Sequence, residues 1–459
     1  MDLYRATFVA SLCVNSLVFI RSCRTRKTSG EEVSEKLEHQ ARDIDGHRLR
    51  LFKWRFLPIY LLVNGADWLQ GPYIYPIYKD EKGLPETLVA ALFLVGFLSG
   101  GVSASFVGAL ADRCGRRAAC LAYCVIYALS CLTLLVDYIP LLFAGRVLGG
   151  ISATLLYSVF ESWMVAEFNR LLPDEPGSTL SDIFSSMTML NSLVAIIAGI
   201  IAEWVFRVFG TAKAPFLTAT ACLAMAFMAI SRLWGENYGL SAHGEDGMPE
   251  TAALLGDQQD SEPKTTRSVL ATIAQDSKIL CLALASCVFE GSLFLFIFFK
   301  FPALTFSHNL AGSSSDLPFG LIFAILMCSM MFGSMIYNNI STSSSSISSS
   351  CILSCSLAIA ALAFFIPTRI RDERVTLWCF CAFEICCGLY YPSMAYLKGK
   401  LIEDGSRATV YGILRIPLNI FVVAALSTTK EGMGHRDLVF TTCSMLLLLG
   451  AVVVRKYLS

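Results

Sequence analysis

Long apolar runs, separated by short polar turns, dominate the chain from residue 56 to residue 454. A helix needs about 20 mostly apolar residues to cross a bilayer, and thirteen segments approach that length. The first, about 3–20, is interrupted by Arg5 and Asn15. A polar stretch rich in Lys and Arg follows over 21–55. Six runs come next, at about 56–78, 87–110, 117–136, 139–166, 182–206 and 213–232. A polar segment over 233–277, rich in Gly, Asp, Glu and Ser, is predicted to be disordered. Six more runs follow, at about 279–300, 317–337, 347–366, 375–398, 408–428 and 437–454. The pattern predicts an all-α polytopic membrane protein in four parts. These are an N-terminal helix with its polar segment (1–55), a six-helix bundle (56–232), a linker (233–277) and a second six-helix bundle (278–459).

The first helix lacks a clean small-x-small cleavage site, and its basic residues follow rather than precede it. It therefore reads as a retained helix with its N-terminus outside, not as a signal peptide. Polar segments on the side of 21–55 and 233–277 carry more than twice the Lys and Arg of the opposite side. The positive-inside rule then places both segments in the cytosol.

Composition agrees with a membrane chain. Of 459 residues, 55% are hydrophobic and 16% charged, with mean hydropathy +0.60, where soluble domains carry about 25% charged residues. Net charge is zero, so nothing suggests a nucleic-acid partner. The 17 cysteines lie mostly inside apolar runs, without a C-x-x-C, and read as buried thiols. No nucleophile–base pair, metal set or nucleotide loop stands out. The chain is not expected to be an enzyme or to need a metal or cofactor.

Ionisable residues inside a membrane are costly and point to function. Asp67, Glu290 and Glu384 fall near the centres of their runs. Asp67 and Glu290 occupy equivalent depths in the first core helix of each half. Arg146 and Arg415 lie roughly 11–12 Å from one end of theirs. A Glu384–Arg415 pair is one expectation, and a snorkelling Lys300 at an outer helix end is another. After Asp67 come Trp68, Gln70, Tyr73 and Tyr75, with Pro72 and Pro76 interrupting the helix. Such a break is tolerated where it faces protein or a water cavity, so Asp67, Trp68 and Gln70 read as cavity-lining. Gly96 and Gly100, like Gly145 and Gly149, are spaced for close helix packing.

Between two apolar runs lies Gly108-Ala-Leu-Ala-Asp112-Arg113-Cys-Gly115-Arg116-Arg117, a charged turn that must lie outside hydrocarbon. It resembles the loop between helices 2 and 3 of the major facilitator superfamily of secondary transporters. Gly145-Arg146-Val-Leu-Gly149-Gly150 resembles that superfamily's helix-4 pattern. The resemblance implies two six-helix bundles with a substrate site at their interface, to which the chain adds the extra N-terminal helix. It also implies a conformational latch, carried onto Gly108, Asp112, Arg113, Gly115 and Arg116. Glu161 is expected to pair with Arg113 or Arg116.

A narrower resemblance rests on several strings. They are Ala66-Asp67-Trp68-Leu69-Gln70-Gly-Pro72-Tyr73, Phe160-Glu161-Ser-Trp163, Trp234-Gly235-Glu236-Asn237-Tyr238, Cys387-Gly388-Leu-Tyr390-Tyr-Pro392 and Arg415-Ile-Pro417. Together they resemble the molybdate-anion transporter branch. That resemblance implies import of a tetrahedral dianion across the plasma membrane, with the lipid bilayer and the anion as partners. Arg146 and Arg415 would meet its charge, with Asp67, Trp68, Gln70 and Glu290 lining the site. An inside-negative potential opposes dianion entry by about 4.6 kcal/mol per 100 mV, so coupling is expected. Asp67, Glu290 and Glu384 are the candidate proton carriers. The alternatives are a carrier for an uncharged organic substrate such as a sugar, and a transport-silent sensor or scaffold acting through the linker.

Overall fold

The computed structural model describes residues 3–28, 39–173, 177–238, 276–312, 316–342, 348–401, 407–430 and 432–458. Within the helices, some side chains, including those of 407–415, lie outside the description. The central part of the linker and residues 343–347 of the Ser-rich run are also outside it.

Every secondary-structure element among the described residues is a helix, without strands. The helices are α1 (Leu3–Thr28), α2 (His39–Gln70), α3 (Ile74–Pro76), α4 (Glu86–Ser103), α5 (Val107–Cys114), α6 (Arg116–Thr133), α7 (Ile139–Leu171), α8 (Gly177–Phe209) and α9 (Lys213–Leu233). Then come α10 (Ser277–Leu310), α11 (Phe319–Thr342), α12 (Ser349–Arg369), α13 (Glu373–Leu401), α14 (Arg407–Ser427) and α15 (Met433–Leu458). Eleven of them are long and apolar enough to cross a membrane.

Two predicted runs are broken, each for a local reason. The run 56–78 stops at Gly71-Pro72, where proline cannot continue the hydrogen-bond ladder. A short α3 and a π-helical turn over Ile77–Glu81 follow. The run 87–110 breaks at 104–106 into two turns, Ser105 N–H to the Val102 carbonyl and Phe106 N–H to Ser103, both 3.2 Å. Gly100, Gly101 and the nearby serines are weak helix formers. Conversely, α10 passes straight through Pro302 and ends ten residues beyond the predicted boundary at 300.

The chain divides into two compact units. One contains Met1–Thr25, Pro85–Ala91 and Gly256–Ser459; the other contains Arg26–Leu84 and Leu92–Leu255. In the second unit, α2 packs on α8 and α9, and α6 on α7 and α9. Its outer loops are tied by Lys82, whose ammonium donates to the Asp137 carboxylate and to the Val136 carbonyl at 3.1 Å. That hydrogen bond holds the Asp137 carboxyl below the usual carboxylate range. In the first unit, α12 packs on α13 and α15, α11 on α13, and α10 on α14 and α15. Asp276 opens α10 by accepting the Lys278 N–H at 2.8 Å.

The N-terminal helix belongs with the C-terminal bundle. Asn15 Nδ2 donates to the Ser11 carbonyl at 2.9 Å and to the Cys328 carbonyl of α11 at 3.0 Å. The Tyr4 hydroxyl donates to Glu373 at the start of α13, beside His308 near the end of α10. The start of α1 therefore lies at the bundle face opposite the start of α10.

Candidate transport site and hairpin clasp

Asp67 lies near the end of α2, half-buried on a face that meets α6 and α7. The Tyr127 hydroxyl of α6 donates to its Oδ1, and the Tyr157 hydroxyl of α7 faces the same carboxylate. Trp68 points the other way, its indole Nε1 donating to Asn191 Oδ1 of α8 at 2.9 Å. Gln70 is buried and turns back to the Ala66 carbonyl of its own helix at 3.3 Å. The three residues therefore diverge, Asp67 toward α6 and α7, Trp68 toward α8 and Gln70 back onto its own helix.

Arg146 lies on α7, about 16 Å along the helix from Tyr157 at 1.5 Å per residue. Its Nε donates to the Leu92 carbonyl of α4 at 3.3 Å, and its guanidinium lies 5.3 Å over the Phe93 ring. The Tyr78 hydroxyl faces it as well. A Cβ on Gly96 would stand 2.7 Å from an Arg146 terminal nitrogen. Gly96 is thus the floor on which the guanidinium rests, beyond the packing role expected for it. Gly150 makes the close crossing of α4 and α7, where a Cβ would meet the Gly96 carbonyl at 2.4 Å. Among the described residues, no carboxylate reaches ion-pair distance of Arg146. Asp67 and Arg146 stand at separate levels of the bundle.

In the C-terminal bundle, Glu290 Oε1 accepts from Ser286 Oγ at 2.7 Å and from the Tyr390 hydroxyl at 2.9 Å. Lys398 Nζ stands 3.9 Å away. Glu384 is 3% exposed, and its opposing charge among the described residues is Lys300. The expected partner, Arg415, lies on α14, and its side chain is outside the described residues. The snorkelling expectation for Lys300 is corrected. Because α10 continues past Pro302, Lys300 is 5% exposed and ringed by Phe296, Phe301 and Phe323 at 5.3–5.6 Å.

The charged hairpin is a built structure. Asp112 Oδ1 accepts from Arg116 Nε at 2.7 Å, and Arg116 also donates to the Ser162 carbonyl at 3.2 Å. Arg116 is thereby committed, and Arg113 is exposed. The pair expected between Glu161 and either arginine is absent among the described residues. Gly108 faces open space, so no steric need for glycine exists there. Gly115 has φ +104°, a conformation that L side chains rarely adopt.

The string Trp234-Gly235-Glu236-Asn237-Tyr238 closes over this hairpin. Trp234 stacks on Trp163 at 3.8 Å and 9°, and its Nε1 donates to the Arg55 carbonyl at 3.2 Å. Trp163 Nε1 donates to the Gly235 carbonyl at 2.9 Å, and Asn237 Nδ2 to the Trp163 carbonyl at 3.2 Å. The two Glu236 oxygens accept the N–H groups of Arg117 at 2.7 Å and Ala118 at 3.1 Å. A carboxylate thus satisfies the first free donors of α6, where the helix dipole favours negative charge. The Asn237 carbonyl accepts the Arg116 N–H at 2.9 Å. Sequence reading singled out this string without a role, because its partners come from α6 and α7. It also missed Tyr78, Tyr127, Tyr157 and Lys398. Phenols and a terminal lysine inside apolar helices were the available signal.

Several solved transporters share this fold. The chain covers 88% of its length on a D-xylose–proton symporter (TM-score 0.66, 10% identity, 98% of that chain). It covers 88% on a peptide transporter solved with sulfate (TM-score 0.66, 13% identity, 94% of that chain). It covers 89% on the nucleoside transporter NupG (TM-score 0.63, 11% identity, 99% of that chain). These likenesses show the fold alone, a multi-pass helical membrane fold shared with those proteins. A family model described as 12-transmembrane sugar transporters matches residues 33–373. The molybdate-anion transporter of Takifugu rubripes is 30% identical over 433 residues, 88% of this chain and 87% of that protein. That of Xenopus tropicalis is 30% identical over 415 residues, 88% and 85%. The chain belongs to the molybdate-anion transporter family of the major facilitators.

Proposed function

We propose that the protein imports molybdate across the plasma membrane by alternating access, with protons as the coupling ion. The relatives' substrate gives the chemical class. The observation that carries it here is Arg146, an intramembrane guanidinium with no carboxylate partner among the described residues. A charge inside a membrane span without a counter-charge is unfavourable, and a tetrahedral oxyanion matches the fork of guanidinium donors. The Tyr78 hydroxyl stands beside it to donate to a further oxygen. Arg415 is kept as a second charge partner on its position within α14. Asp67, Trp68 and Gln70 serve the N-terminal bundle, and Asp67, Glu290 and Glu384 are the proton carriers. The hairpin and the linker root face the cytosol, where Gly108, Asp112, Arg113, Gly115 and Arg116 act in gating.

Uptake into proteoliposomes tests this reading. Tungstate and sulfate are expected to compete with molybdate, and sugars are not. The second reading, an uncharged organic substrate, is favoured by the family model's description and by the aromatic side chains after Asp67. Competition by sugars with indifference to tungstate would select it.

A further inference from the structure

Glu161 lies on α7 one turn beyond Tyr157, on the same helix face. The Tyr157 hydroxyl hydrogen-bonds the Asp67 carboxylate of α2. Tyr60, two turns before Asp67 on α2, stands within electrostatic reach of both Tyr157 and Glu161. Its ring is held by stacking on Phe56 at 5.5 Å. Two carboxylates on facing helices are thus bridged by two phenols. The step along α7 from Tyr157 to Glu161 is only about 6 Å.

The far end of this ladder meets the charged hairpin. Arg116 donates at 3.2 Å to the carbonyl of Ser162, the residue after Glu161. Glu161 therefore lies at the level of the hairpin, and Asp67 lies deeper in the bundle. The face they share borders water rather than lipid. Tyr157 is 58% exposed on it, and Asp67 and Glu161 are half-buried, an arrangement too costly against hydrocarbon. Glu167, six residues on, shows what a structural carboxylate looks like here: it is buried and held by Arg170 at 2.6 Å. Glu161 makes no ion pair among the described residues. A half-buried carboxylate beside a row of hydroxyls can take up a proton and give it to water.

We propose that Glu161 is the exit station for the coupling proton on the hairpin side of the N-terminal bundle, receiving it from Asp67 through the Tyr157 and Tyr60 hydroxyls. The proposal rests on the proton-coupled reading above and supplies its route. Protonated Asp67 gives its proton to the Tyr157 oxygen as the Tyr157 hydroxyl proton passes on to Tyr60, directly or through water. The Tyr60 hydroxyl proton moves in the same way to a Glu161 oxygen. Each phenol loses one O–H bond and gains another, so Asp67 alone loses a proton and Glu161 alone gains one. Glu161 then releases it to water at the hairpin. The other titratable groups around Asp67 are Tyr123, Tyr127 and Cys131 of α6. α8 presents Asn191 at Trp68, and α9 presents Thr220 at Cys131. Around Glu161 the charged groups are the Asp112–Arg116 pair of the hairpin.

Full-length protein in proteoliposomes separates the route from transport itself. One assay is molybdate uptake driven by an inward proton gradient. The other is exchange of internal for external molybdate at equal pH, which needs no net proton release. Glu161→Gln is expected to lower gradient-driven uptake about tenfold or more, with exchange kept within about twofold. Glu161→Asp keeps a carboxylate and should recover part of the uptake. Tyr157→Phe and Tyr60→Phe should show the same split, each slowing gradient-driven uptake about threefold or more. Wild-type gradient-driven uptake in Glu161→Gln overturns the route. An equal fall of uptake and exchange in that variant overturns it too, because it marks a structural role. Should Glu161→Gln fail to fold, the phenylalanine variants decide, and wild-type gradient-driven uptake in both overturns the route. A wild type that carries molybdate but ignores the proton gradient overturns the coupling reading itself, an outcome distinct from any failure of the variants.

Discussion

A methyl group on Gly115 would stand 2.6 Å from the carboxyl carbon of Glu236. Glycine at the hairpin and glutamate at the linker root are therefore fitted to one another, although 121 positions of sequence numbering separate them. The positive φ of Gly115 turns the chain into α6, and the carboxylate then drops onto the exposed start of that helix. Capping carboxylates of this kind contribute about 0.5–2 kcal/mol. The stacked Trp163 and Trp234 fix the backbone that carries Glu236.

Gly115→Ala is accordingly expected to do two kinds of harm. It strains the backbone and expels Glu236 from the helix start, at a combined cost of about 2–4 kcal/mol. Glu236→Gln keeps one acceptor and loses the charge, for about 0.5–1 kcal/mol. Thermal unfolding in detergent measures both. A Gly115→Ala protein as stable as wild type would show that the clasp does not hold the hairpin.

The Asp112–Arg116 pair leads to a kinetic expectation. Asp112 is 44% exposed and Arg116 16%, so the bond itself stabilises little, about 0.2–1 kcal/mol. Its work is to orient Arg116 toward the Ser162 carbonyl. Asp112→Asn should slow molybdate turnover several-fold while leaving KM within about twofold. Initial-rate uptake at graded molybdate separates the two. Lost binding with intact turnover would contradict a gating role.

The all-helical pattern was legible because each span is a long apolar run, and counting such runs led to the expected six-linker-six layout. Arg146, Asp67 and Glu384 stood out as candidates because a charge inside such a run is conspicuous. Their partners did not. Leu92, Tyr78 and Phe93 reach Arg146 from segments more than fifty residues away, and a backbone carbonyl leaves no trace in composition. Lys300 was misplaced because Pro302 reads as a helix stop in water, whereas packed membrane helices carry proline through. Glu236 was visible only as part of an unusual string, since its capping partners lie on another helix.

Among the described residues, Lys300 and Glu384 are each other's opposing charge in the C-terminal bundle. Each is nearly solvent-free, and aromatic rings fill the space around the ammonium. Lys300→Met strands the carboxylate and should cost about 3–5 kcal/mol. Lys300→Met/Glu384→Gln removes both charges and should recover most of that stability. Thermal unfolding of the two singles and the double gives the coupling energy. If the double is no better than Lys300→Met, the two charges are independent. If the double also transports with an undiminished response to a proton gradient, Glu384 leaves the list of proton carriers.

Arg146 decides the charge logic of the N-terminal bundle. The guanidinium lies on Gly96, donates to the Leu92 carbonyl and covers the Phe93 ring, leaving its positive charge unmatched by any described carboxylate. These neutral contacts hold it in place without neutralising it. Arg146→Lys retains the charge but loses the planar fork, and its shorter reach abandons either Leu92 or the anion. Molybdate affinity should fall about tenfold or more, the loss of one charge-assisted bond at about 1.5–3 kcal/mol. Arg146→Gln should bind more weakly still, while folding survives because no described partner charge is stranded. Thermal shifts with molybdate and tungstate, measured beside the unliganded melting temperature, separate binding from stability. Unchanged affinity in both variants would remove Arg146 from the site. A collapse of stability in Arg146→Gln would instead reveal a structural counter-charge in the residues outside the present description.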